Sequence, residues 1–182
     1  MRGRGINREG LAALLPVRDG REAEAEDVLA ALPSGHESPF TRIGSTHFAR
    51  LVLLAGFPDR RHGGEILPGL PACLFFAAEF DIPVAGYLEA VCAVMPAEAD
   101  AVFAACVGYP GARVPPVFTD WMLRHRVKAG FSLHANPQAN VRQVLHALGL
   151  REQIIGFAVE TRALAPADLK AAWDSQDWGN VA

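Results

Sequence analysis

The order in which strand-like and helix-like segments follow one another constrains this chain more than any motif in it. Residues 11–17 are a short apolar run closed by the turn pair Asp19-Gly20, which reads as a first strand. Pro16 near its end suggests an edge position or a strand end. Residues 21–32, REAEAEDVLAAL, read as a helix with Ala23, Val28, Leu29 and Leu32 on one face and an acidic first turn that suits the helix dipole. Residues 46–55, THFARLVLLA, alternate as a strand: His47, Ala49, Leu51 and Leu53 share one face, Phe48, Arg50, Val52 and Leu54 the other. A Gly- and Pro-rich stretch over 56–71 reads as a long loop. Residues 72–80, ACLFFAAEF, form a third strand with Leu74, Phe76, Ala78 and Phe80 on one side. Helices are expected over 82–94, with Asp81 as N-cap, over 97–107 and over 119–127. Residues 129–135, AGFSLHA, are the fourth strand and 140–159 a long helix, with Val141, Val144, Leu145, Leu148 and Ile155 as core positions.

That order, with extra helices before the last strand, is β-α-β-β-α-β. It predicts an α+β fold: a ferredoxin-like sandwich whose antiparallel sheet carries helices on one face. The expected organisation is a loose N-terminus over 1–9, one domain over 10–160 and a helical tail over 161–182. The other sheet face must be solvated, bound to a ligand or paired. Both faces of strands two and three are largely apolar, so a second copy covering the open face, a homodimer, is the expectation.

Composition excludes several classes. The chain is 51% hydrophobic and 20% charged, ample for a packed core. Its net charge of -3 provides no basic field, so nucleic acid is not an expected partner. No apolar run reaches the ~18 residues of a membrane span. The basic start MRGRGINREG is followed by charged residues rather than an apolar core, so no signal peptide is expected. Cys73, Cys92 and Cys106 lie in apolar runs without metal-ligand spacing and read as buried, reduced thiols of a cytoplasmic protein.

The run PVRDGREAEAEDVLAAL resembles the first strand-turn-helix of dimeric α/β-barrel proteins, a superfamily that includes small monooxygenases, chlorite-dismutase-like proteins and dye-decolourising peroxidases. GSTHFARLVLL, LFFAAEFD and CVGYPG resemble segments of an uncharacterised actinobacterial-type family loosely associated with haem peroxidases. The resemblance covers roughly residues 10–160. It implies an oxidoreductase-like protein binding haem or a hydrophobic organic ligand. The distal GxxDG motif of dye-decolourising peroxidases is not present; the corresponding place reads EFDIPVAGY, with Asp81 but without the glycines.

Arg50, His134 and Asp81 are the catalytic candidates. Arg50 stands in an apolar strand, where a guanidinium needs either a carboxylate, Glu79 or Asp81, or an anionic ligand group such as a carboxylate or haem propionate. His134 could ligate iron or move a proton, or serve as a hydrogen-bonded structural histidine. His47, Arg50, His134, Tyr109 and Arg113 are the cofactor-binding candidates. His47 and Arg50 are an odd number apart, so they share a face only if a bulge intervenes. No motif spacing supports a metal site, a nucleotide loop or a nucleophile elbow. The alternative function is a non-catalytic module that dimerises through its sheet and docks a protein partner with its tail, where Trp173 and Trp178 stand among polar residues.

Overall fold

The computed structural model describes residues 8–56, 60–62, 65–67, 69–128 and 138–178. The chain forms two compact units, residues 1–138 and 139–182.

The first unit is α+β. Strands β1 (Glu9–Pro16) and β2 (Thr46–Leu54) flank a central strand, and each pairs with it antiparallel. Between β2 and that centre the stretch expected to be a loop carries a small antiparallel ladder, β3 (Arg60–His62) with β4 (Glu65–Leu67). The central strand is β5 (Cys73–Phe80), and the sheet order is β1-β5-β2. The expected fourth strand, 129–135, lies outside the described residues.

Alternation is strict in β5. Leu74, Phe76, Ala78 and Phe80 are buried, while Cys73, Phe75, Ala77 and Glu79 are half-exposed. The register carries this pattern outward: Leu11, Ala13 and Leu15 stand opposite Ala78, Phe76 and Leu74, as do Ala49, Leu51 and Leu53 from the other side. Helices α1 (Glu22–Ala31), α2 (Val84–Val94), α3 (Pro96–Phe103) and α4 (Pro115–Arg124) supply the rest of the core. Phe76, Phe80, Tyr87, Phe103 and Phe118 are fully buried there, and Phe80 stacks on Tyr87 at 3.9 Å between centroids. Burying each such side chain contributes on the order of 1.5–3 kcal/mol.

Two local expectations change. Asp81 does not cap α2. The α2 N-terminus is instead satisfied from β1, where the Glu9 carboxylate accepts the Val84 N–H at 3.0 Å. A carboxylate reaching in from a neighbouring strand caps as well as a local one, and sequence spacing does not reveal it. Helix α4 begins at Pro115 rather than 119, because proline lacks the N–H that a first-turn residue would leave unbonded.

The second unit is a helix pair, α5 (Val141–Thr161) and α6 (Pro166–Asp174). Asn140 and Gln143 close a capping box at the start of α5: each side chain bonds the other's backbone. The core positions expected on α5 are overturned. Leu145, Leu148 and Ile155 are exposed, and Val141 and Val144 half-buried. The helix packs α6 with its opposite side, where Phe157 meets Trp173 and Trp178 edge-on. Both sides of α5 are apolar, so periodicity alone could not choose between them.

Candidate functional site

β2 starts with an irregularity. Thr46 pairs with Phe80 and Phe48 with Glu79, so two steps on β2 match one on β5 and His47 is the inserted residue. The bulge resets the alternation. Thr46 joins the core face, its Oγ1 3.4 Å from the buried Tyr87 hydroxyl, while Phe48 and Arg50 keep the open face. His47 is freed from its expected place beside Ala49 and turns to Asp81, just past the end of β5.

His47 Nε2 lies 2.7 Å from Asp81 Oδ1 and 2.7 Å from an Arg8 guanidinium nitrogen. Arg8 Nε is 3.8 Å from the same carboxylate oxygen. The side chains of Arg8, His47 and Asp81 are only 9, 15 and 10% exposed, so they interact in a poorly solvated corner of the sheet. A carboxylate can only accept, so His47 donates Nε2–H to Asp81; the Arg8 guanidinium, a donor itself, cannot bond that same nitrogen and acts on the carboxylate as a charge. In the tautomer that donates from Nε2 alone, Nδ1 is a hydrogen-bond acceptor, with an Arg8 nitrogen 3.5 Å away.

This histidine stands in the wall of a cleft of about 430 Å³ along the outer edge of β2. Leu29, Leu32, Phe40 and Leu51 make the cleft apolar, and Ser34, Ser38, Thr41 and Thr46 add hydroxyls. Among the described residues lining it, His47 is the one ionisable side chain. The volume falls in the range of small-molecule sites, which are mostly apolar with a few placed polar groups.

The other candidates are scattered. Arg50 is exposed on the open sheet face, its guanidinium 5.3 Å from the centroid of the Phe48 ring. Tyr109 sits among Phe103, Phe118 and Trp121, and its hydroxyl donates to Asp100 Oδ1 at 2.8 Å. Burial, then that carboxylate, push its pKa well above the ordinary tyrosine range. Asp100 also accepts the Ala112 N–H at 2.9 Å, so the pair fixes the Gly108–Gly111 turn. Arg113 is exposed beyond that turn. His134 lies outside the described residues. The structure therefore joins His47 with Asp81, leaves Arg50, Tyr109 and Arg113 elsewhere, and adds Arg8. Sequence reasoning missed Arg8 because it assigned residues 1–9 to a loose terminus; its place one residue before β1 was the available signal.

Trp173 and Trp178, expected to face a partner, pack on each other at 4.3 Å and on Phe157 within the second unit, with Trp173 remaining partly exposed. No helix among the described residues is long and apolar enough to cross a membrane, and no cluster of metal-ligating side chains occurs among them.

Haem does not fit His47 as its axial base. Nε2 is already committed to Asp81 with an Arg8 nitrogen 2.7 Å from it, and Nδ1 is 3.5 Å from an Arg8 nitrogen, which would set iron beside a cation. Compared with known proteins, the chain matches no family model, no curated protein and no solved structure.

Proposed function

We propose that the chain is an oxidoreductase-like protein of the dimeric α/β-barrel type that binds a small hydrophobic organic molecule in the cleft beside β2. The carrying observation is an apolar concavity in which His47, oriented by Asp81 and backed by Arg8, is the one ionisable wall residue among the described residues. The ligand's apolar body packs on Leu29, Leu32, Phe40 and Leu51, and its polar end meets the hydroxyls and His47. Asp81 is a positioning residue. The ferredoxin-like arrangement is supported at the far side of the sheet. Residues 125–127 bond the outer edge of β1 antiparallel, through Leu14 N–H to His125 O and Val127 N–H to Ala12 O, the edge where such a fold places its last strand. Three free thiols, two of them buried, accord with a reducing, cytoplasmic setting.

The test is a titration with 1-naphthol and 1-naphthoate, followed by the amide NMR signals of residues 29–51. Saturable shifts confined to the cleft are expected in the wild type. His47→Ala should weaken binding about tenfold, equivalent to ~1.4 kcal/mol. Leu32→Trp, which fills the space, should abolish it. Binding that ignores Leu32→Trp, or no shift with either probe at millimolar concentration, sinks the proposal.

A second reading concerns the open sheet face. Its cross-strand rows are Leu14–Phe75–Val52 and Pro16–Cys73–Leu54, with Phe48 one row beyond Arg50. Leu14, Phe48 and Leu54 are each about 40% exposed. An apolar face of this kind supports a homodimer through the sheet, a non-catalytic assembly role that needs no cleft ligand. Sedimentation of Phe75→Glu decides it: that variant should associate less than the wild type, and an unchanged association state would reject the interface.

A further inference from the structure

Helix α5 carries a second apolar seam on the side that α6 does not cover. Val141, Leu145, Leu148, Ile155 and Val159 recur at alternating steps of four and three residues once Glu152 is included, the spacing of a coiled-coil seam. Leu145 is 60% exposed, Ile155 50% and Val159 58%. The opposite side of the helix is the one that meets α6, through Ile154, Phe157 and Thr161 around an apolar groove. A 21-residue helix with one apolar side used and the other wet is built for another helix.

We propose that this seam pairs with α5 of a second copy of this chain, antiparallel and about a twofold axis near residues 150–151. The charges select that occupant. Arg142 and Glu160 follow the seam's first and last valines and are about five helical turns apart, so they lie on the same flank. In an antiparallel pair like flanks face each other, which places Arg142 of each copy against Glu160 of the other, twice by symmetry. In a parallel pair unlike flanks would face each other, which sets the two copies of this flank on opposite sides of the seam and leaves Arg142 and Glu160 unmatched. The seam is palindromic to within one residue of the same centre: the Val141 layer meets Val159, and the Leu145 layer meets Ile155. Its one polar position, Glu152, is charge-compensated by Arg151 at 2.7 Å and falls next to Leu148 of the other copy. A polar group at a single seam position is a device that fixes register at a cost in stability.

The inference does not depend on the cleft or on the sheet face, and the test separates them. The full chain is sedimented from micromolar to about 200 µM, with helix content followed by circular dichroism. Expected are a self-associating wild type and loss of that association in Leu148→Glu and Ile155→Glu, at unchanged helix content because both positions are solvent-exposed. Arg142→Glu and Glu160→Arg should each weaken association about fivefold or more, and the double reversal should restore it to within about twofold. Three outcomes overturn the proposal: a wild type monomeric throughout, association that survives Leu148→Glu while Phe75→Glu dissolves it, and a double reversal no tighter than the singles.

Discussion

His47 reaches Asp81 because β2 holds one residue more than its partner strand at that point. The contact, 2.7 Å between Nε2 and Oδ1, joins an edge-strand bulge to the first residue after the central strand. Arg8 completes the group from the start of β1. Removing the carboxylate would leave a guanidinium and an imidazole facing each other with little solvent. Asp81→Ala should therefore lower unfolding stability by about 1–3 kcal/mol, the cost of stranding poorly solvated polar groups. Asp81→Asn, which keeps an acceptor, should cost less. Urea unfolding of the two variants at one pH gives the comparison, and equal losses would argue against a charge-dependent contact.

How far residues could be read locally explains what the sequence disclosed. The faces of β5 were legible because Leu74, Phe76, Ala78 and Phe80 alternate with residues that the register also places on the open side. The bulge was not, since THFARLVLL alternates without the glycine or proline that often marks one. Asp81 has the spacing of a helix cap, but tertiary contacts drew it to His47 and left the cap to Glu9, 75 residues away in sequence. On α5 periodicity gave two faces where one was expected, and packing by α6 chose the less obvious one. Local pattern thus placed the elements, and long-range pairing placed the candidate site.

Alkaline pH should unfold this protein through its tyrosines and thiols. Burial pushes the Tyr87 pKa up to about 12 and Tyr109 higher still, against about 10 in the unfolded chain. Both groups are neutral when protonated, so the stability they contribute is fully present below pH ~10. Above that value the unfolded chain gives up protons that the folded chain keeps, and stability falls towards pH 12. These are the chain's two tyrosines. Absorbance at 295 nm should therefore show neither ionising near pH 10, and both ionising together when circular dichroism reports unfolding. A tyrosinate signal at pH 10 from the folded protein would contradict the buried placement.

The three thiols should differ in reactivity. Burial raises Cys92 to about 11 and Cys106 to about 12, so neither supplies thiolate near neutrality. Cys73 is half-exposed on the open sheet face, its pKa raised by partial burial. With N-ethylmaleimide at pH 7.5, one modification at Cys73 should precede any other, and the remaining two should wait for denaturant. Mass spectrometry of the timed reaction shows the order. Early labelling of Cys106 would mean that the pairing of Cys106 with Val17 opens readily.

Tyr109 and Asp100 should behave as a packing pair. Tyr109→Phe deletes one hydrogen bond but leaves Asp100 Oδ1 the Ala112 N–H, so a loss of about 1 kcal/mol is expected. Asp100→Ala strands both donors and should cost more, about 2 kcal/mol or above. Neither change should alter naphthol binding, because neither residue lines the cleft. Thermal unfolding and the NMR titration together check this. Weakened binding in a fully folded Tyr109→Phe would bring the tyrosine back as a ligand contact.

Deleting His47 separates the site from the fold more cleanly than substituting it. In the present register Thr46 already faces the core opposite Phe80, and Phe48 already stands opposite Glu79. Taking out the inserted residue lets β2 run as a regular strand with both neighbours keeping their partners and faces. The deletion variant should therefore fold with the wild-type β signal. It should lose about 1–3 kcal/mol, because Asp81 forfeits one of its polar contacts while Arg8 remains. Naphthol binding should weaken about tenfold or more with the histidine. A deletion that collapses the sheet would show that the bulge is structural, whereas a folded deletion that binds as tightly as the wild type would remove His47 from the site. His47→Ala, which keeps the inserted backbone, would then show whether the extra residue or its side chain shapes the cleft.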